Sequence, residues 1–425
     1  MSTKHSKAAA EFLKNKKQAA WHDETLWLVR AKRDRLSKEV PEWEELRNMA
    51  CATKLYSNSH LDELLVEFEN NARANGAHVY WAKDADEYCN IVYNILNQHG
   101  VKHFIKSKSM LAEECELNPF LESKGIEVVE SDLGERILQL MHLKPSHIVL
   151  PAIHIKREQV GELFEREMGT EKGNFDPTYL THAARKNLRQ KFIHAEAAMT
   201  GANFAVASTG EIVVCTNEGN ADMGTSQPKL QIAAFGMEKI VPDRESLGVF
   251  TRLLARSATG QPITTYTSHY RKPREGGELH IIIVDNGRSK ILADQKHIKT
   301  LNCIRCGACM NTCPVYRRSG GYSYTYFIPG PIGINLGMLK APLHYYDNVS
   351  ACSLCYSCSF VCPAKVDLAE QIYLWRQDLD KLGKADRMKR VMSGGMEFMM
   401  NRPLIFNMAS VSYTHLRAHE TLANL

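Results

Sequence analysis

The sequence has no long apolar run. Its most apolar stretch, His280 to Val284, is ended by Asp285, whereas a membrane-spanning helix needs about 20 apolar residues in a row. The Lys-rich first twenty residues contain no arginine, which a mitochondrial presequence would favour, and no apolar segment of signal-peptide length follows them. We therefore expect a cytoplasmic protein without a membrane span, which could associate with a membrane only through partners.

The chain also has little excess of either charge. Its 53 Lys and Arg residues against 48 Asp and Glu residues leave a formal net charge of +5 over 425 residues. Nucleic-acid-binding domains are usually strongly basic, so nothing in this composition requires a nucleic-acid partner. The hydrophobic content of 44% is enough to bury the cores of two folded units.

No Gly-x-Gly-x-x-Gly loop lies between a predicted strand and a predicted helix, so no NAD or flavin site is visible. The 12 cysteines are not distributed like those of a disulfide framework, because eight of them lie in two short runs. In a large chain without a secretion signal, this bunching indicates a reducing compartment and metal chemistry. We expect the four isolated cysteines to be small buried residues: Cys51, Cys89, Cys115 and Cys215.

The two cysteine runs have the same spacing, Cys-x2-Cys-x2-Cys-x3-Cys-Pro, and the second begins 49 residues after the first (352 minus 303). This spacing is typical of proteins that hold two 4Fe-4S clusters. A pair of zinc sites is the alternative, but zinc ribbons separate two Cys-x-x-Cys pairs by a long finger, whereas each run here places four cysteines within eleven residues. The runs therefore predict two 4Fe-4S clusters.

The spacing also predicts which cysteines share a cluster. Three thiolates two residues apart can surround one cubane, whereas the fourth, beyond a three-residue gap, is directed to the other cluster. The predicted ligands are Cys303, Cys306, Cys309 and Cys362 for cluster 1, and Cys352, Cys355, Cys358 and Cys313 for cluster 2. Two clusters in series favour electron transfer over a purely structural role.

Alternating strand and helix patterns predict a mostly parallel α/β sheet between the N-terminal region and the cysteine runs. Short apolar or β-branched runs that predict its strands lie at 77–81, 101–105, 125–129, 146–150 and 279–285. A long helical pattern extends from about Tyr179 to Met199. Two further runs, 203–207 and 211–215, predict a hairpin.

These patterns predict four parts of the chain. They are a helical N-terminal extension over 1–69, an α/β domain over 70–295, a mainly α-helical dicluster domain over 296–395 and a tail over 396–425. From about residue 411 the tail has no clear apolar periodicity, and we expect this end to be non-native. An apolar stripe from Leu61 to Ala72 marks the last helix of the extension.

Two polar segments after predicted strands are candidates for ligand binding. Asn217 lies in the segment 216–220, which follows a strand run, and loops in that position host ligands in open α/β sheets. Lys106 and Lys108 follow another strand and could bind a carboxylate or a phosphate. The alternatives are a simple turn for 216–220 and a solvated lysine pair for Lys106 and Lys108.

Motifs in both parts of the chain form a specific set. They are KSKSM (106–110), ESDLGE (130–135), PSHIVLPAIH (145–154), TGANFAVASTGEIVVCTNEGN (200–220), MEKIVP (237–242), ARSATGQ (255–261), VDNGR (284–288) and CIRCGACMNTCPVYRRSGG (303–321). On these motifs the chain resembles the lactate utilization protein B family, the LutB or YkgF group of iron–sulfur proteins. The resemblance covers about residues 20–395, and the present tail departs from the further segment that family members have there.

The resemblance implies a lactate-utilization (LUD) domain with a fold like that of the NagB/RpiA/CoA-transferase superfamily, joined to a dicluster ferredoxin-type domain. It also implies a role in the oxidation of L-lactate to pyruvate beside two partner subunits, with electron donor and acceptor proteins or a quinone. Since CoA-transferase-like proteins use a glutamate in a comparable loop as nucleophile, Glu218 becomes a candidate catalytic residue.

Two functions remain open at this point. The favoured one is an electron-transfer subunit that passes electrons from a lactate-oxidising partner through its two clusters. The alternative is a self-contained oxidoreductase, or a CoA-transferase-like ligand-binding enzyme, whose α/β domain does the chemistry. Without a visible hydride-accepting cofactor site, lactate oxidation by this chain alone is the harder reaction to write.

Overall fold

The computed structural model describes residues 4–384 and 387–408. The chain divides into two compact units, residues 1–373 and 374–425. The tail predicted to be non-native from about residue 411 lies outside the described residues. Within the part that is described, no helix combines the length and the apolar character needed to cross a membrane.

The N-terminal region is helical. Its helices are α1 (Lys4–Lys14), α2 (Lys16–Lys38), α3 (Trp43–Ser59) and α4 (Leu61–Ala74). The apolar stripe of α4 is confirmed, because Leu61, Phe68 and Ala72 are buried. Helices α2 and α3 lie along α12 (Arg244–Thr259) of the α/β region, and α2 also contacts α14 (Ala308–Thr312) in the first cysteine run. The N-terminal helices therefore pack on both the α/β region and the first cysteine run.

Ten strands follow in the α/β region. They are β1 (His78–Ala82), β2 (His103–Lys106), β3 (Glu127–Glu130), β4 (Ala197–Gly201), β5 (Phe204–Val206), β6 (Glu211–Thr216), β7 (Leu230–Gly236), β8 (Ile240–Val241), β9 (Tyr266–Tyr270) and β10 (Glu278–Val284). Six form a parallel sheet in the order β1-β10-β7-β4-β2-β3. The others form a second sheet, β8-β5-β6-β9, in which β5 and β6 make the predicted hairpin.

Helices lie between the strands of the α/β region and after its last strand. They are α5 (Ala85–Gln98), α6 (Met110–Glu114), α7 (Leu117–Ser123), α8 (Leu133–Leu140), α9 (Arg157–Met168), α10 (Pro177–Ile193), α11 (Asn220–Ser226), α12 and α13 (Arg288–Leu292). Local chemistry sets their ends: Asp84 caps α5 by accepting from the Glu87 amide at 2.9 Å, and Gly260 ends α12 in the left-handed conformation. One apolar core lies on each face of the sheet.

Two elements differ from the sequence-based predictions. Residues 146–150 form no strand, because the amides of Val149 and Leu150 donate to Nδ1 of His147, at 3.0 Å each, and not to a neighbouring strand. The predicted helix from Tyr179 to Met199 ends at Ile193, and Met199 lies in the central strand β4. Strands β4 and β7 are rich in alanine and glycine, which have low β-propensity, and this composition concealed them.

The cysteine-run region is mainly helical. Its helices are α14, α15 (Pro314–Ser319), α16 (Gly330–Lys340), α17 (Pro342–Tyr345), α18 (Ser357–Val361) and α19 (Leu368–Lys381), and α20 (Arg387–Met400) follows. A parallel-sheet α/β domain is therefore followed by a helical region. The two share one apolar core, in which Leu46 of α3 and Phe204 of β5 belong to the same cluster as Cys306 and Ala364. The predicted boundaries of the four parts stay predictions.

Candidate metal centre and adjoining cavity

The two cysteine runs fold as a structural repeat. Arg305 and Leu354, each two residues after the first cysteine of its run, have positive φ angles of 62° and 52°. Their amides donate to Sγ of Cys303 at 3.4 Å and of Cys352 at 3.3 Å. Helices α14 and α18 then begin at positions 49 residues apart and contact each other (357 minus 308). The 49-residue sequence repeat is thus a repeat of backbone conformation.

The thiols fall into two groups, each of which draws on both runs. Cys303, Cys306, Cys309 and Cys362 line one cavity together. Burial, and then the charge of Cys362, raise the pKa of Cys306 to about 12. In the other group, burial and the charges of Cys352 and Cys355 raise the pKa of Cys313 to about 11. The last cysteine of each run therefore lies near thiols of the opposite run.

The spacing of these sulfurs fits a larger group than a single zinc ion. Four sulfurs around one zinc, with bonds of about 2.3 Å, would lie roughly 3.8 Å apart. Among the described residues, one set of three or more His, Cys, Asp or Glu side chains has all its ligand atoms within 4.8 Å of one another. It consists of His78, Glu278 and His280 and contains no cysteine. No three cysteine sulfurs of the described residues are therefore as close together as a shared zinc ion would hold them.

Hydrogen bonds fix the sulfurs and the chain around them. The Tyr316 amide donates to Sγ of Cys313 at 3.5 Å, and the Val366 amide donates to Sγ of Cys362 at 3.4 Å. Arg47 of α3 donates from Nε and Nη2 to the carbonyl oxygen of Cys362, at 3.1 and 3.0 Å. Amide donors to ligand sulfurs are among the features that set the potential of an iron–sulfur cluster, and the arginine holds the exit of the second run.

The two cysteine groups differ in exposure. Cys306, Cys309 and Cys362 are buried, whereas Cys355 is exposed. The exposed side chain of Phe360, with 76% of its surface accessible, lies on the same run as Cys355. The group that contains Cys355 is thus the one that reaches the surface of the protein.

A second cavity, of about 220 Å³, lies at the carboxyl ends of the parallel strands. Its wall includes Ser109 after β2, Asn203 after β4 and Lys239 after β7. Ligand sites of open α/β sheets lie at this end of the strands. Arg305 and Cys306 of the first cysteine run complete the wall. The cavity of the α/β domain therefore touches the buried cysteine group.

Charged side chains surround the cavity end near Cys306. Arg288 pairs with Glu114 at 2.8 Å and with Glu238 at 2.5 Å. Burial opposes ionisation of Glu238, but the charges of Arg288 and Arg305 outweigh it and lower its pKa to about 2. Burial lowers the pKa of Lys239 to about 8. Glu238 is thus held as a carboxylate between two arginines.

Two cations of this wall lie near Glu238. The charge of Glu238 acts against the effect of burial on the pKa of Lys239, and Nη1 of Arg305 is buried without a hydrogen bond among the described residues. The Nη2 atom of Arg305 lies 3.7 Å from Glu238, which is a loose ion pair. An anion in the cavity could therefore be bound beside Cys306.

The candidates predicted from the sequence lie at different places. Glu218 and Asn217 are exposed on the cavity wall, where Nδ2 of Asn217 donates to Gln261 at 3.3 Å. Lys108 also lines the cavity and pairs with Glu135 at 2.8 Å. Lys106 is fully buried, pairs with Glu130 at 2.7 Å and does not belong to the wall. The structure therefore brings Asn217, Glu218 and Lys108 to one cavity and leaves Lys106 in the core.

The loop 146–150 joins the α/β domain to the first cysteine run through His147. Because Nδ1 of His147 accepts two backbone hydrogen bonds, its Nε2 carries the hydrogen and donates to Oδ1 of Asn311 at 2.9 Å. Asn311 in turn donates to the carbonyl oxygen of Ala258 at 2.9 Å. Burial lowers the pKa of His147 to about 3, so this imidazole is neutral, and its contacts are structural.

Comparison with known proteins identifies families that match the α/β domain and the cysteine-run region. Residues 65–291 match the LUD domain family and residues 299–366 match the 4Fe-4S dicluster domain family. The chain is 43% identical over 357 residues to "Lactate utilization protein B" of Geobacillus thermodenitrificans (strain NG80-2), a match that covers 82% of this chain and 75% of that protein. The chain belongs to the lactate utilization protein B family.

Other relatives agree with this membership. The protein of the same name from Bacillus pumilus (strain SAFR-032) is 44% identical over 359 residues, covering 83% of this chain and 76% of the relative. A relative from Escherichia coli (strain K12), named "Uncharacterized electron transport protein YkgF", is 41% identical over 362 residues, with 84% and 76% of the two chains covered.

Sequence reasoning missed two residues of the cavity wall, Lys239 and Arg305. Both lie within motifs that carry the family resemblance, MEKIVP (237–242) and CIRCGACMNTCPVYRRSGG (303–321). Two signals could have identified them: Lys239 is a charged residue that follows an apolar strand, and Arg305 is a charged residue between two cysteines. Only the fold shows that the two motifs meet.

Proposed function

We propose that this chain is the iron–sulfur electron-transfer subunit of a system that oxidises L-lactate to pyruvate. The observation that carries the proposal is the pair of thiol groups, each of which combines cysteines of both runs. The dicluster match and the names of the relatives support iron–sulfur electron transfer in lactate utilization. The clusters, when bound, supply one-electron transfer.

The proposed ligands of cluster 1 are Cys303, Cys306, Cys309 and Cys362, and those of cluster 2 are Cys352, Cys355, Cys358 and Cys313. The cavity lined by the first set and the influence of Cys352 and Cys355 on the pKa of Cys313 support these sets. Under this arrangement the 38 residues between Cys313 and Cys352 (352 minus 313 minus 1) form a loop closed through both clusters.

The positions of the thiols suggest the two ends of the electron path. Cys306 lies on the wall of the α/β cavity, and Cys355 lies at the surface. Oγ1 of Thr312 and Oγ of Ser357 are 2.5 Å apart, which joins the helices of the two runs. The helices of the two runs thus hold the two groups near each other, and the group with Cys355 is the more exposed one.

The proposal has further parts that extend from the family. They are two other lactate-utilization subunits as partners, electron donor and acceptor proteins or a quinone, a cytoplasmic location and no nucleic acid. For the α/β domain we propose the fold of the NagB/RpiA/CoA-transferase superfamily, over residues 70–295. The dicluster domain is proposed to extend over 296–395, after a helical extension over 1–69 and before a tail over 396–425.

Single cysteine variants test the proposal. Anaerobically prepared protein should contain about eight irons per chain, two cubanes' worth. Cys313→Ala should damage the cluster of the second run first, and Cys306→Ala that of the first run, so that electron paramagnetic resonance detects different surviving clusters. Cys51→Ala, at an isolated cysteine, is the matched control and should keep both. Loss of the same cluster in both variants, or zinc with negligible sulfide, would contradict the proposal.

A second candidate function is favoured by the cavity beside Cys306. Lys239 and Arg305 place two positive charges there beside the single carboxylate of Glu238, which suits a small carboxylate ligand, and Glu218 supplies a carboxylate on the same wall. In this alternative the chain is a self-contained oxidoreductase or a CoA-transferase-like enzyme. Oxidation of a 2-hydroxy acid to a 2-oxo acid releases two electrons and two protons, and two one-electron clusters could take the two electrons.

Lactate-dependent reduction of the clusters separates the two functions. The purified chain should not be reduced by lactate alone and should be reduced when the partner subunits are added. Reduction without partners would favour the second candidate. In that event Lys239→Met should abolish the reduction by weakening anion binding, whereas Lys299→Met, at a lysine outside the cavity wall, should leave it unchanged.

A further inference from the structure

The amino ends of β1 and β10 carry a cluster of imidazoles around one carboxylate. His78 and His280 are direct neighbours in the parallel pairing of these strands. Glu278 lies two residues before His280 and Tyr80 two residues after His78, so the four side chains lie on one face of the sheet. His99 follows the C-terminus of α5 and approaches the same face. This cluster lies at the opposite end of the strands from the cavity.

The potential ligand atoms in this cluster are close together. Those of His78, Glu278 and His280 all lie within 4.8 Å of one another. Nε2 of His280 is 2.9 Å from Oε2 of Glu278, and Nε2 of His99 is 3.3 Å from Oε1. Both carboxylate oxygens therefore face an imidazole nitrogen.

The surrounding hydrogen bonds orient two of the imidazoles. Nδ1 of His99 is 2.8 Å from the carbonyl oxygen of Ile95 and so carries a hydrogen, and Nε2 faces Oε1 of Glu278, with a lone pair when the imidazole is neutral. A lone pair and a carboxylate oxygen 3.3 Å apart repel each other unless a proton or a cation lies between them. The Tyr80 hydroxyl, 3.1 Å from Nδ1 of His280, holds the second ring. Such outer contacts are typical of metal-binding histidines.

We propose that His78, His99, Glu278 and His280 form a binding site for a divalent ion of the zinc class. Imidazole nitrogen with one carboxylate suits zinc, and four protein ligands leave no open coordination position, which is typical of structural sites. Binding requires the side chains to contract around the ion, because zinc bonds of about 2.0–2.2 Å bring ligand atoms closer than the 4.8 Å limit that His78, Glu278 and His280 meet. His99, which lies outside that limit, would join them through its side of Glu278. The ion would fasten the edge strand β1 to β10 and to the end of α5.

Zinc binding to the anaerobic holoprotein is the first test. Equilibrium dialysis against zinc should add about one zinc per chain while the iron content stays constant, which excludes replacement of iron by zinc in the cysteine groups. X-ray absorption at the zinc edge should show nitrogen and oxygen ligands without sulfur. No retained zinc, or zinc with sulfur ligands, would overturn the proposal.

Variants at the exposed ligands provide the second test. His78→Ala and His99→Ala should each weaken zinc binding more than tenfold, whereas His182→Ala, at an exposed histidine of α10, should bind zinc as the parent does. Zinc should raise the thermal midpoint of the parent and of His182→Ala, but not that of the two ligand variants. Iron content shows whether each variant is folded. Unchanged zinc affinity in both ligand variants would mean that the bound zinc lies elsewhere and would refute the site.

Discussion

Lys106, a candidate ligand-binding residue in the sequence, is predicted from the structure to act on stability instead. The alternative for this residue in the sequence is a solvated lysine. In the structure its side chain is fully buried and its Nζ lies 2.7 Å from Oε1 of Glu130. The same Glu130 oxygen accepts from Nδ2 of Asn118 at 2.7 Å. We therefore expect Lys106→Met to act on stability, because it leaves the Glu130 carboxylate buried without its counter-ion.

The size of the effect follows from the burial of the pair. Removing one partner of a buried ion pair costs about 3–5 kcal/mol. Unfolding of a unit spanning residues 1–373 involves an entropy of roughly 0.8 kcal/mol/K, at about 2.1 cal/mol/K per residue. The thermal midpoint should therefore fall by about 4–6 °C. The neutral pair Lys106→Met/Glu130→Gln should regain more than half of this loss, since no buried charge remains and the amide can still accept from Asn118.

The measurement is the thermal midpoint of the anaerobic holoprotein, followed by circular dichroism with iron content as a check on the clusters. Lys191→Met is the matched control, because Lys191 pairs with Glu127 on the same strand β3 but is 36% exposed. Exposed pairs contribute at most about 1 kcal/mol, so this variant should shift the midpoint by roughly 1 °C. A Lys106→Met variant as stable as Lys191→Met, or a neutral pair no better than the single variant, would refute the reasoning.

Two further predictions concern the connection between the α/β domain and the cysteine runs. Burial lowers the pKa of His147 to about 3 and that of His154 to about 4. As the pH falls from 6.5 to 5, these two histidines therefore take up protons only in the unfolded chain. The free energy of unfolding should fall by about 2 kcal/mol per histidine over that range. Urea titrations should detect this, and His154→Gln should reduce the pH dependence, whereas an unchanged dependence would contradict the assignment. Gly321→Ala should lower stability and iron retention, because its Cβ would lie 2.3 Å from the Ser146 carbonyl oxygen. Gly248→Ala, with open space around its Cβ, should be neutral, and equal melting of the two alanine variants would count against the prediction.

The sequence predicts the fold where local pattern and tertiary role coincide. β1, β2, β3 and β10 are apolar or β-branched runs, and their existence was read correctly. Strands β4 and β7 were not predicted, because they are rich in alanine and glycine, which have low β-propensity. At the centre of a parallel sheet these small residues reflect close packing by neighbouring elements. The opposite error occurred at 146–150. This apolar run was predicted to be a strand, but its backbone amides donate hydrogen bonds to the imidazole of His147.

The site divides in the same way. The cysteine spacing is a local signal, so the cluster motif could be recognised from the sequence. The cavity beside Cys306 could not, because it depends on Lys239 and Arg305 meeting across the boundary between two regions. The histidine cluster was also beyond reach, since it requires the knowledge that β1 pairs with β10, strands separated by nearly the whole α/β domain.

The unequal burial of the two repeated loops has a consequence for how the protein can be used. A duplicated loop by itself would present two equivalent faces to other molecules. Here one copy is enclosed with Cys306 at the α/β cavity, and the other exposes Cys355. A small molecule in the cavity and a protein docked over Cys355 would therefore not compete for the same surface. Both could be bound at once, and neither would have to leave before the other arrived.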